Sequence, residues 1–458
     1  MKRTAVMMVA VLGSAVLLAG CGKTEAPETQ EKSALKTSDT TQGENEAQPA
    51  ESAQDGSSAK KAETNQNAAG SGEKVELTYW QHSSAARDEM MKELVAEFET
   101  QNPDITVKLE FIPEDDYSQK LIPSLATDTA PDVFQIQSGM LPKLAKAGAI
   151  QPLDETVMPA EMIEREFIPA AVEGLRYEGR YYGMPTDVQT ILLFWNKTLA
   201  EEAGLDAERG PQTWEEFFDW ARKMTKRDGD TLIQSGWGGK GYVPELLSFI
   251  EQKGGKFYDG ETGRFVFADD EAALAAIEEY ASLYKEDKVY DTEFVKNWAG
   301  FRQGLIGMML GHPAMIGNLP QTAPELDFGV GLIPASGDNR ATCLTSWGYV
   351  AGAKAPSAEA TRLIEFLSSE AVEKKWTKTT GELPARAALL EDEELGKDPK
   401  VATAIESLKA SFVSPVQIPA LHSAFSDSYT EYLKTDRPLA EVMREAQEKM
   451  NAELANPV

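Results

Sequence analysis

From Val75 onward the apolar side chains fall into two periods. Val75, Leu77 and Tyr79 alternate with Glu76, Thr78 and Trp80, the two-residue period of a strand with one buried face. Met90, Leu94 and Phe98, with Met91 and Val95 beside them, share one face of a helix that Ser83 or Ser84 can cap. Asn102-Pro103 closes that helix. Ile105, Val107, Leu109 and Phe111 then alternate with Thr106, Lys108 and Glu110, a second strand. Strand, helix and strand in this order predict a parallel right-handed unit. A helix from about Tyr117 and an apolar strand over 133–136 continue the alternation, so the start predicts a doubly wound α/β lobe.

The middle of the chain is more helical. Leu192, Leu193, Phe194 and Trp195 predict a buried strand, and Thr213-Trp214-Glu215-Glu216 is a capping box that opens an amphipathic helix. The pattern predicts helices near 244–253 and 270–286 and strands over 305–310, 326–333 and 344–352. From Ser357 onward it is almost entirely helical. No internal repeat is visible, and about 385 residues suit two lobes better than one core.

The first residues have another character. Lys2 and Arg3 precede an apolar run over 5–18, too short for a comfortable membrane span, which reads as a secretory signal over 1–20. The run ends in Leu18-Ala19-Gly20-Cys21, which resembles a bacterial lipobox with Cys21 as the acylated first residue of the mature chain. Residues 21–73 are then the lipidated Cys and a polar stretch almost without aliphatic or aromatic side chains. Such a stretch cannot offset its ordering entropy and predicts a disordered tether with an end-to-end distance of roughly 40 Å. No later segment is apolar enough to span a bilayer, so the expected anchor is lipid on the extracytoplasmic face of the cell membrane. The one other cysteine, Cys343, then has no intrachain partner and reads as a packed small hydrophobe.

Charge and motifs narrow the chemistry. With 74 Asp and Glu against 45 Lys and Arg, the net charge is -29, and no basic patch recommends nucleic acid as a partner. The three histidines, His82, His312 and His422, do not pair at metal-ligand spacing. There is no G-x-S-x-G elbow and no P-loop. Gly236-Trp237-Gly238-Gly239-Lys240-Gly241 is a formal G-x-G-x-x-G, a weak dinucleotide signal that an exported chain makes weaker. No enzyme activity, metal or cofactor is expected.

Several short segments follow one another in a telling order: Leu77-Thr78-Tyr79-Trp80; Phe98-Glu99-Thr100-Gln101-Asn102-Pro103-Asp104-Ile105-Thr106-Val107; Ala130-Pro131-Asp132-Val133-Phe134; Tyr182-Gly183-Met184-Pro185; Trp195-Asn196-Lys197; Pro211-Gln212-Thr213-Trp214-Glu215-Glu216-Phe217; and Leu383-Pro384-Ala385-Arg386. Together they resemble extracellular solute-binding protein family 1, the maltose-binding-protein-like receptors of bacterial ABC importers, over about 75–458. The resemblance implies a monomeric, two-lobed periplasmic-binding-protein fold of type II character. Lobe one would comprise 75–186 plus 345–395, and lobe two 187–344 plus 396–458, the latter ending in a helical section. A solute, most simply a sugar, would lie in the cleft between the lobes and pass to the permease subunits. Receptors for a polyamine, metal complex or peptide share this fold. An anchored glycan-acting enzyme and a sensory receptor are the remaining alternatives.

In open α/β lobes the ligand lies at the carboxyl ends of strands. That rule selects Trp80, Gln81 and His82 after the first strand, and Gln137 and Ser138 after the strand at 133–136. The family often has a carboxylate where Gln137 stands, so an amide there argues against a strongly cationic ligand. The resemblance places Asp187, Gln189 and Thr190 at the first crossing between lobes, with Gln189 matching the ligand-gripping position best. It also places Trp237 and Tyr242 against the ligand just before a helix, and Trp347 where the chain returns to lobe one. His312 joins them, although Ala314 and Ser426 stand where relatives carry aromatics, which weakens the case for a maltose-like ligand.

Overall fold

The computed structural model describes residues 74–458 apart from 128, 240–242, 417, 456–458 and the side chain of Asp115. The signal segment, Cys21, the tether and Tyr242 therefore lie outside the described residues. Among the described residues no helix is long and apolar enough to cross a membrane.

The alternation at the start produces what it predicts. Val75–His82 and Ile105–Ile112 pair in parallel, Val75 against Ile105 through His82 against Ile112. The helix Ala85–Gln101 connects them, capped by Ser84, whose hydroxyl accepts the Arg87 N–H at 3.4 Å. It lays Met91, Leu94 and Phe98 on Leu77 and Tyr79, all fully buried. Val133–Gln137 joins Val75–His82 on its other side. The first sheet runs Ser411–Val413, Thr342–Gly352, Val133–Gln137, Val75–His82, Ile105–Ile112. Gly183–Gln189 and Ile150–Gln151 also pair with Thr342–Gly352.

The second sheet runs Phe328–Leu332, Leu192–Asn196, Ile306–Gly311, Thr231–Trp237, Lys226–Asp228. Leu192–Asn196 lies antiparallel between two neighbours and is buried along its whole length, as its unbroken apolar run requires. The cap forms at Trp214–Met224: Thr213 Oγ accepts the Glu216 N–H at 3.3 Å, while the Glu216 carboxylate reaches one residue beyond the cap and accepts the Gln212 N–H at 2.7 Å. The final helices, Pro419–Lys434 and Leu439–Ala455, pack on this second core. Phe425 meets Phe257 and Phe267, and the Gln447 amide oxygen accepts the Ala268 N–H at 2.7 Å.

The chain leaves the first sheet at Gln189 and enters the second at Leu192. Thr342 stands beside this crossing, its hydroxyl accepting the Ile191 N–H at 3.0 Å. Thr190 and Ser407 share a hydrogen bond of 2.6 Å. The two passages of chain between the sheets thus run side by side and are tied to the helical section that follows 396.

Candidate ligand-binding site

The carboxyl ends of the first sheet gather an aromatic and amide patch. Trp347 sits opposite Gln137 on one neighbour and Asp187 on the other. The His82 ring lies 4.2 Å from the half-buried Trp347 ring, and Tyr117 meets both edge-on at 6.0 and 6.1 Å. Tyr117 is held in place by its hydroxyl, which donates to the Gln135 carbonyl at 2.7 Å. Burial, with the charge of nearby Arg87 second, keeps the His82 imidazole well below its ordinary pKa and hence neutral.

Beneath the patch lies a buried ionic cluster that sequence reasoning missed. Arg87 Nε donates to Glu382 Oε1 at 2.6 Å, and its Nη2 donates to Asp187 Oδ2 at 3.0 Å. All three side chains are at most 5% exposed. Glu382 also accepts the Trp376 indole N–H at 2.6 Å. Gln189 donates to Asp187 Oδ2 at 2.8 Å. Burial raises the Glu382 pKa to about 8 against the pull of Arg87, with Asp187 adding to the rise. One signal was available: Arg87 falls on the same helix face as Met90, Met91 and Leu94, where a charge is out of place unless paired. Nothing local points to Glu382, which is 295 residues away.

Among the described residues here, Gln189 Oε1 is buried without a hydrogen-bond partner, and His82 Nδ1 and Gln135 Oε1 are buried facing one another without a well-formed hydrogen bond. Buried polar groups in folded proteins are nearly always satisfied, so these atoms mark places that water or ligand hydroxyls can serve. From the second sheet, His312 Nδ1 donates to the Thr190 carbonyl at 3.2 Å. Burial takes the His312 pKa down to about 4, leaving it neutral at the crossing.

The structure brings His82, Gln137, Asp187, Gln189, His312 and Trp347 to this region; the other described candidates are internally engaged, buried or turned away. Gln81 is fully buried and internally engaged, accepting from the Tyr79 hydroxyl at 3.0 Å and donating to Asp88 at 3.3 Å. The Trp80 ring faces the outer helices, with the Lys120 ammonium 4.4 Å from its centre. Ser138 is buried and accepts from the Ser346 hydroxyl at 2.9 Å. Trp237 is corrected from a cleft contact to a core residue: it is fully buried, packed edge-on against Tyr280 at 4.9 Å and Tyr290 at 5.0 Å. Its glycine neighbours serve that packing. A Cβ on Gly239 would fall 2.0 Å from the Trp237 ring, and one on Gly236 would fall 1.7 Å from the Ala221 carbonyl oxygen.

The family model for bacterial extracellular solute-binding proteins matches residues 93–403. The chain belongs to that family. Among related solute-binding proteins, a binding protein of Brucella abortus is 27% identical over 317 residues, 66% of this chain and 74% of its own. The sn-glycerol-3-phosphate-binding periplasmic protein UgpB of Escherichia coli is 23% identical over 336 residues, 68% of this chain and 74% of its own. Solved structures of the same two-lobed architecture include an ABC transporter solute-binding protein from Thermotoga lettingae bound with α-D-tagatose. Its TM-score is 0.73 at 24% identity, covering 83% of this chain and all (100%) of that one. The maltose/maltodextrin-binding domain MalE of Bdellovibrio bacteriovorus, bound to maltotriose, gives a TM-score of 0.72 at 19% identity, with 83% and 100% covered.

Proposed function

We propose that this solute-binding protein is a monomeric, lipid-anchored receptor of an ABC importer. It takes a neutral polyhydroxylated solute, a sugar or short oligosaccharide, between lobes divided close to 75–186 plus 345–395 and 187–344 plus 396–458, with 187–189 and 342–344 corrected to the first sheet, and delivers it to the permease. The observation that carries the ligand class is the pairing of a half-buried Trp347 face with the unpartnered Gln189 amide oxygen and the planar polar groups of His82 and Gln135. Sugars require such a pairing, an aromatic surface for their C–H faces and fixed planar groups for their hydroxyls. The local charge supports neutrality of the ligand. Among the described residues of the patch, Arg87 is engaged by Asp187 and Glu382, so it offers no free cation to a phosphate and they offer no free carboxylate to a polyamine. The same engagement argues against a glycosidase, which needs two carboxylates turned toward the substrate.

Full-length protein screened by thermal shift against mono- and oligosaccharides, polyamines and sugar phosphates tests the reading. One neutral sugar class at 100 times its dissociation constant adds about 2.7 kcal/mol of stability and is recovered unchanged. A response confined to polyamines, or a phosphate response that Trp347→Ala abolishes, overturns the ligand assignment, and a cleaved sugar overturns the receptor. For the anchor, Cys21→Ser is expected to release the protein from the membrane fraction of its expression host. Retention of the variant in that fraction would refute lipidation at Cys21.

A further inference from the structure

A cavity of about 320 Å³ lies in the second lobe, lined by Arg227, Lys285, Lys288 and Lys434 among others. Only two carboxylates, Asp291 and Asp436, share the lining, a local excess of positive charge in a chain of net charge -29. The cations come from three separate segments, which is why no basic patch is visible along the sequence. They do not belong to the ligand patch. Arg227 stands on Lys226–Asp228, which pairs with the amino-terminal part of Thr231–Trp237, whereas the ligand end of that strand is its carboxyl end.

Three of these cations are not neutralised. Arg227 donates only to carbonyls, through Nε at 3.2 Å and Nη2 at 2.8 Å to Lys288, and through Nη1 at 2.8 Å to Asp230. Lys285 likewise donates to the carbonyls of Tyr432 at 2.9 Å and Thr435 at 2.8 Å. Among the described residues neither they nor Lys288 forms an ion pair with a carboxylate, although most of the basic side chains around them do. Lys434 pairs with Glu293 at 2.6 Å. A guanidinium has five N–H groups and an ammonium three, so Arg227 keeps two donors and Lys288 three, while Lys285, which also lies 4.3 Å from the centre of the Tyr432 ring, adds its charge. Lys288 itself sits at φ 51°, a left-handed conformation that a lysine adopts at a cost, and the Arg227 guanidinium on its carbonyl holds it there.

We propose that this cavity binds a phosphate ester. The spare donors outnumber what a single carboxylate accepts and suit the three terminal oxygens of a phosphate, which favours charge-assisted N–H donors. The volume exceeds a bare phosphate, and Tyr284, Tyr290 and Leu433 provide a wall for a small organic body. The same chemistry is offered by a soluble phosphate ester and by a phospholipid headgroup.

Isothermal titration of the full-length protein with glycerol phosphate, and co-sedimentation with phosphatidylglycerol against phosphatidylcholine vesicles, distinguish the sources. Lys288→Glu is expected to weaken binding about tenfold or more, the worth of one hydrogen bond to a charged group. Lys288→Gly, which suits the left-handed backbone, is expected to weaken it while preserving the fold. Trp347→Ala, at the other site, leaves it unchanged. Heat with glycerol phosphate assigns a soluble ester, and binding to phosphatidylglycerol vesicles alone assigns a headgroup. Absence of both, or equal affinity in both Lys288 variants, overturns the proposal, as does a loss of binding in Trp347→Ala.

Discussion

Replacing Arg87 with methionine is expected to destabilise the fold by about 3–5 kcal/mol, because it strands buried carboxylates without their counter-charge. Arg87 is the cation that Asp187 and Glu382 share among the described residues, and all three side chains are buried. The penalty should depend on pH with a definite sign. Glu382 has its folded pKa raised from 4.5 to about 8, so the fold favours its neutral form. Its stabilising contribution is complete below 4.5 and lost as pH rises through about 8. Without Arg87 the ionised form loses its partner and the same window costs more. Urea midpoints of wild type and Arg87→Met should therefore lie closer at pH 5 than at pH 8.5. Adding Glu382→Gln and Asp187→Asn to Arg87→Met should recover part of the loss. An Arg87→Met protein as stable as wild type at pH 8.5 would show that the cluster does not bear on the fold.

The same cluster shows where sequence legibility ends. The strands and helices were legible because their signals are local. Alternation from Val75 to Tyr79, the Ser84 cap and the apolar run Leu192–Trp195 each need only a few neighbours to be read. Trp347 and Gln189 were proposed on the family resemblance, which places them at the crossings between lobes; they stand on antiparallel neighbours, so the strand-end rule does not select them. Long-range pairing is of another kind. Arg87 and Glu382 become partners only when the late helical segment folds back on the first helix. Trp237 misled through its surroundings: glycines read as loop, yet Gly236 and Gly239 are small because the Ala221 carbonyl and the indole ring occupy the space. Gln81 was right in position along the strand, but its amide is taken by Tyr79 and Asp88.

Trp347→Ala is expected to raise the dissociation constant for the cognate sugar by about 30-fold or more, the effect of removing an aromatic anchor from the centre of a site. The expectation rests on the difference between two tryptophans that sequence reasoning treated alike. Trp347 lies against neutral His82 with part of its ring open, whereas Trp80 has an ammonium at its face. Trp80→Ala should therefore leave the affinity within about threefold, since it removes no ligand contact. Trp347→Phe retains an aromatic face and should recover much of the loss, which separates stacking from a general loosening of the patch. Calorimetric titration of the three variants with one sugar decides the matter. If Trp80→Ala weakens binding as much as Trp347→Ala, the ligand lies over the outer helices and the assignment of the patch is wrong. If only the Trp347 substitution does so, the sugar stands on the strand that returns from the second sheet. Ligand contact would then fall on chain that closure of the lobes must move, so that binding and closure are coupled through one residue.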